Sequence, residues 1–155
     1  MKTLTTLIAL CAGPALASCP DPSLSADEYT ATGAGLIAPQ TWPVQAMGEA
    51  DIPCDDWVKS GVILGETTGR LPIAPTAQFQ LSGLGPHILM VMAQAECGAV
   101  VAARTSDGVW YVGETANERE EITLWGASDG VLQVWVGSKG EETCDGTLTL
   151  ETFDR

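Results

Sequence analysis

Turn-forming residues interrupt this chain roughly every ten residues, and the apolar segments between them are too short for a helix of about ten residues. The pattern is clearest from Ala77 onward. Ala77–Leu81 alternates, placing Ala77, Phe79 and Leu81 on one face. Ile88–Ala93 is a continuous apolar run, as expected of a strand buried on both faces. Ala99–Ala103 follows, and Ser106-Asp107-Gly108 is a hairpin turn leading into Val109–Val112. Glu114–Glu121 reads as a charged loop and Ile122–Trp125 as a strand. Ser128-Asp129-Gly130 turns the chain into Val131–Val136, where Leu132, Val134 and Val136 share one face and Gln133 and Trp135 the other. Gly140–Gly146 is an acidic loop, and Thr147–Phe153 alternates cleanly.

The first half is less regular. Asp21–Thr32 is polar, Thr41–Met47 carries Pro43 and is an edge strand at best, and Asp51–Gly61 reads as a loop. Val62–Leu64 is a brief strand, and Gly69–Thr76, with Pro72 and Pro75, is irregular. About seven or eight strands linked by tight turns predict an all-β antiparallel sandwich, immunoglobulin-like or jelly-roll-like.

The N-terminus carries an address. Lys2, the apolar run Leu4–Ala12 and the small-residue site Ala15-Leu16-Ala17 make residues 1–17 a signal peptide, leaving one sandwich domain over 18–155. The expected location is the periplasm or the extracellular space. Leu16-Ala17-Ser18-Cys19 also fits a lipobox, which would make the product an envelope lipoprotein anchored through Cys19. Cysteine parity favours the soluble form: with Cys11 removed, Cys19, Cys54, Cys97 and Cys144 can close two bridges, whereas lipidation of Cys19 strands one thiol. Four cysteines allow three connectivities. No C-x-x-C pair is present, so zinc-knuckle and thioredoxin-like chemistry have no basis.

Seven basic against 20 acidic side chains give a formal net charge of −13. That charge repels nucleic acid and anionic lipid and favours cations and basic partners only weakly and in a salt-dependent way, so its first reading is solubility. No later apolar run is long enough to span a bilayer, and a monomer is expected.

Catalytic constellations are sparse. The only histidine, His87, follows Leu84-Gly85-Pro86, where an exposed turn residue is expected, and no G-x-S-x-G accompanies it. The adjacent acids Asp55-Asp56, Glu120-Glu121 and Glu141-Glu142 point to opposite faces when on a strand, so they do not converge on one bond. Five tryptophans are the better lead. Trp57, Trp110 and Trp135 are the candidate ligand-contacting residues, Trp135 because it lies opposite the core face and points outward or toward a covering loop.

Several segments resemble the bacterial pre-peptidase C-terminal domain family and its stand-alone envelope members. They are Leu71-Pro72-Ile73-Ala74-Pro75 leading into Ala77–Leu81, Asp107-Gly108-Val109-Trp110, which is similar to a D-G-x-W hairpin, and Gly130–Gly137, which is similar to a G-x-Y-x-V-W-V-G strand. Cys144 with Thr147–Leu150 resembles the closing strand, and Cys19–Cys54 the leader segment. The resemblance implies a non-catalytic β-sandwich, and in some relatives a bound calcium ion. Asp107, Glu114 and Asn117 are weak calcium candidates, because Gly113–Glu118 lacks the consecutive aspartates of calcium-binding members. No other metal or cofactor is expected. Parity, strand order and the resemblance together imply Cys19–Cys54, tying down residues 18–60, and Cys97–Cys144, holding the closing strand.

The leading expectation is therefore a secreted or periplasmic non-enzymatic binding or accessory domain with an unidentified protein or glycan partner. Its rivals are a secreted hydrolase built on a carboxylate pair in an aromatic cleft, and the Cys19-anchored lipoprotein.

Overall fold

The computed structural model describes residues 19–60 and 67–155; the expected signal peptide and the brief strand expected over Val62–Leu64 lie outside the described residues. Two sheets pack face to face as a β-sandwich. In the first, β1 (Asp27–Thr32), β5 (Ala77–Ser82) and β11 (Gly130–Ser138) lie side by side. The far half of β11 continues into β4 (Gly69–Leu71) and β3 (Ala50–Ile52) on one edge, and into β7 (Ala99–Arg104) and β8 (Trp110–Val112) on the other. The second sheet has the order β2 (Gln40–Ala46), β12 (Cys144–Asp154), β6 (His87–Ala95), β10 (Arg119–Trp125), β9 (Glu114–Ala116).

Alternation builds the core. Phe79, Leu81, Leu132, Val134 and Val136 from the first sheet meet Leu89, Val91, Ile122, Leu148 and Leu150 from the second. Every one of these is buried, and each contributes about 1.5–3 kcal/mol of burial free energy relative to an exposed side chain. Tyr29, Trp42 and Phe79 close one side of this layer, with ring centroids 4.8–5.5 Å apart.

Twelve strands form among the described residues, more than the seven or eight expected. The additional ones have local causes. Asp27–Thr32, read as polar, is an edge strand whose Tyr29 and Ala31 face inward, and it pairs parallel to β5 where the other ladders are antiparallel. The charged loop expected over Glu114–Glu121 is a hairpin: Asn117 and Glu118 both adopt positive φ (49° and 66°), a two-residue turn made without glycine. A six-residue helix, α1 (Asp55–Ser60), stands where a loop was expected, with Asp55 and Asp56 in its first turn. The expectation that Ile88–Ala93 is buried on both faces fails for its outer side, where Ile88 and Met90 are half-exposed.

β11, like β7 beside it, is buried on both faces. Its outer side, with Trp135, joins Ile52, Trp57, Leu71, Val100 and Ala102 in a second apolar cluster. Gly137 lets β4 approach it, since a Cβ there would overlap the Arg70 carbonyl. Two disulfides fasten the peripheral segments: Cys19–Cys54 holds the N-terminal segment against the second cluster, and Cys97–Cys144 ties the β6–β7 turn to the start of β12.

Closing loops with sequence separations of 35 and 47 lowers the entropy of the unfolded chain, by about 4 kcal/mol each in the chain-entropy account. The double variant Cys97→Ser/Cys144→Ser is expected to lose about 2–4 kcal/mol in urea unfolding.

A second expectation concerns acid. Asp129 accepts the Leu84 N–H at 2.8 Å, linking the β10–β11 turn to the β5–β6 turn, and this and the Gly83 N–H hold its carboxyl below the ordinary range. The Thr105 hydroxyl does the same for Asp107. Carboxyls depressed in the folded state stabilise it above their unfolded pKa, and that stabilisation is lost as pH falls through the folded value. The melting temperature should therefore fall below about pH 4, and Asp129→Asn should show a shallower acid-side decline in a series of thermal melts.

Candidate functional site

A cleft of about 760 Å³ opens between the two sheets on the side where β1 and β2 form their outer strands. One wall belongs to the first sheet: Asp27 and Tyr29 from β1, then Pro72, Ala74, Pro75 and Thr76 from the β4–β5 connection. Across from it stand Pro43, Val44 and Gln45 of β2, Met47 and Glu49 just beyond, and Asp145 and Gly146 at the start of β12. The size is that of ordinary small-ligand and peptide sites.

The proline-rich wall is held from behind. The Trp135 indole N–H donates to the Ile73 carbonyl at 3.2 Å, and the Asp21 N–H donates to the same oxygen at 2.7 Å. The Ile73 N–H donates to Glu49 Oε2 at 2.8 Å. Thr76 is fixed to β11 twice, its N–H donating to the Val134 carbonyl and its hydroxyl accepting the Val136 N–H, both at 2.8 Å. Pro72 and Pro75 fix φ, so the segment is rigid as well as anchored.

Asp27, Glu49 and Asp145 are the carboxylates of the described lining, which contains no lysine or arginine. The Gln45 amide donates to Asp145, and Glu49 spends one oxygen on Ile73. All three carboxylates are exposed. A carboxylic acid that must donate a proton near neutrality needs burial or a closely paired acid to retain it. This geometry favours binding cations over general acid catalysis.

The tryptophans expected to contact a ligand lie elsewhere. Trp135 is fully buried (0% exposed) and Trp57 nearly so, on the outer side of the first sheet. Their rings sandwich that of Trp110, with centroids at 4.7 Å (Trp57–Trp110) and 4.6 Å (Trp110–Trp135). The covering loop anticipated for Trp135 is the disulfide-tied segment with α1, so Trp57 and Trp135 lie in a second buried cluster, and of the three only Trp110 is half-exposed. The most exposed tryptophan is Trp125, at 76%. It lies in register with Ile88 and Phe153 across the outer face of the second sheet.

His87 is buried, contrary to the exposed turn residue expected: it begins β6, packs against Gly33, and its Nδ1 lies 3.2 Å from Asp154 Oδ1. Glu120 and Glu121 do point apart. Glu120 is buried and meets Lys139 Nζ at 3.0 Å and the Thr115 hydroxyl, while Glu121 lies 3.3 Å from Arg119 Nε. The weak calcium candidates are dispersed over separate elements: Asp107 in the β7–β8 turn, Glu114 on β9, and Asn117 in the β9–β10 turn. Among the described residues no group of three or more His, Cys, Asp or Glu side chains is placed to hold a metal ion, and no helix is long and apolar enough to cross a membrane.

No family model matches the chain, and no curated protein sequence matches it. Among solved structures, it is similar to the pre-peptidase C-terminal domain of collagenase from Bacillus anthracis, the class of domain that the sequence resembles. The identity is 9% and the TM-score 0.46, over 84% of this chain and 99% of that one.

Because Trp135 anchors the cleft wall through Ile73, Trp135→Phe is expected to cost about 1–3 kcal/mol, from a lost buried hydrogen bond and a smaller ring. Urea unfolding measures the loss, and ¹H–¹⁵N NMR shifts should reach Ile73 and Ala74 in the cleft wall.

Proposed function

We propose that this chain is a non-catalytic binding domain of an oxidising, extracytoplasmic compartment, with the cleft between β1 and β2 as its ligand site. The observation that carries the reading is the cleft itself: a rigid, largely apolar lining of Tyr29, Val44, Met47 and prolines, rimmed by three exposed carboxylates. Apolar walls with a few polar groups at fixed positions are the usual makeup of a recognition site. The carboxylates lack the burial that acid catalysis would require, and the sole histidine is packed into the sandwich against Asp154. Two disulfides fit a compartment outside the reducing cytosol. An accessory role beside a secreted partner agrees with these features.

A fragment set of small amines, amides and sugars, screened by ¹H–¹⁵N NMR, tests the site. Shift changes centred on the amides of Tyr29, Val44, Met47 and Ala74 are expected. Changes centred on Trp125 and Phe153, or none at all, would overturn the assignment.

A further inference from the structure

We infer that the occupant of the cleft is an extended peptide segment bearing lysine or arginine, an inference that rests on the cleft being the ligand site. Three features converge on this chemistry. First, the lining is acidic: Asp27, Glu49 and Asp145 come from three separate segments and no lysine or arginine belongs to the described lining, while Arg70, outside it, donates to the Glu49 carbonyl at 3.2 Å and pairs with Asp51. Second, the lining is amphipathic in the same sense as a lysine or arginine side chain. The hydrocarbon stem of such a residue can lie along Val44, Met47 and Pro75 while its head reaches a rim carboxylate. Tyr29, half-buried and lining the cleft, offers a ring for a cation–π contact.

Third, the backbone beside the cleft is open. Among the described residues β1 ends its sheet and pairs only with β5, and it contains no proline, so its other edge offers main-chain donors and acceptors to an added strand. The facing edge strand, β2, is interrupted by Pro43, which has no N–H to give. A small amine would use the carboxylates alone. An extended peptide uses the carboxylates, the apolar lining and the β1 edge together.

The probe is the blocked heptapeptide Gly-Lys-Val-Lys-Val-Lys-Gly, titrated into the full chain by calorimetry. Its controls carry glutamine for lysine, or methyl groups on alternate backbone nitrogens. At least tenfold weaker binding is expected for both control peptides, and for the lysine peptide with the double variant Asp27→Asn/Asp145→Asn. Both replaced side chains are exposed, and thermal melts confirm that the variant is folded. Raising the salt concentration should weaken the lysine peptide and leave the glutamine peptide nearly unchanged. Equal affinity of the lysine and glutamine peptides, or an unaffected double variant, would overturn the charge assignment. Undiminished binding of the methylated peptide would overturn the extended, strand-pairing mode. If fragments map to the cleft and the lysine peptide does not bind, the occupant is wrong and the site stands. If fragments fail to map there, the site reading itself falls.

Discussion

The Trp135 indole is the point through which the rest of the structure is coordinated. It stands on β11, the strand that joins both halves of its sheet, and it faces away from the space between the sheets. A large ring on an outer sheet face needs a cover, and its N–H needs an acceptor once covered. Trp57, Trp110 and the Cys19–Cys54 segment supply the cover, and the Ile73 carbonyl is the acceptor. Ile73 sits between Pro72 and Ala74 in the cleft wall. One side chain thus couples a buried cluster on one side of the sheet to the shape of the cleft at its edge.

That coupling explains why the N-terminal segment is fastened covalently. Residues 19–60 contribute short or edge strands and one six-residue helix, none able to hold itself in place by hydrogen bonding alone. Yet they bring Asp27, Tyr29, Val44 and Glu49 to the cleft and Trp57 to the second cluster. The Asp21 N–H and the Trp135 indole share the Ile73 carbonyl, so the stapled segment and the sheet meet at a single backbone atom.

The sandwich was legible where alternation was strong. β5, β11 and β12 could be read from Ala77–Leu81, Val131–Val136 and Thr147–Phe153, because one face of each enters the main core. β1 was not legible: as an edge strand it exposes Asp27, Glu28 and Thr30, so its composition is that of a loop. The β9–β10 hairpin lacks the glycine that marks such turns, since Asn117 and Glu118 take positive φ themselves. The alternation in Val131–Val136 correctly set Trp135 opposite the core face, but it carries no information on what lies over that face. Tryptophan content alone therefore gave no sign that Trp57 and Trp135 would be buried in a second cluster. The cleft left no local trace either. Asp27, Glu49 and Asp145 are distant in sequence, and only the pairing of β2 with β12 and β1 with β5 brings them to one rim.

The acidity of the chain has a different meaning once the fold is known. Spread evenly, a net charge of −13 would serve solubility and give only weak attraction for basic partners. Much of the basic complement is engaged: Arg70 with Asp51, Arg119 with Glu121, and Lys139 with Glu120. The Asp51 and Glu120 pairs place cations next to acids outside the cleft; Arg70 also donates to the Glu49 carbonyl at 3.2 Å, and no lysine or arginine belongs to the described lining. Asp27 and Asp145 thus stand beside an apolar lining, where the low dielectric of the walls strengthens their field relative to a flat surface. On the proposed reading, a cationic segment passing that edge meets attraction first from the rim and then a place for its apolar stem, so that the same residues bear on both the rate of encounter and the fit.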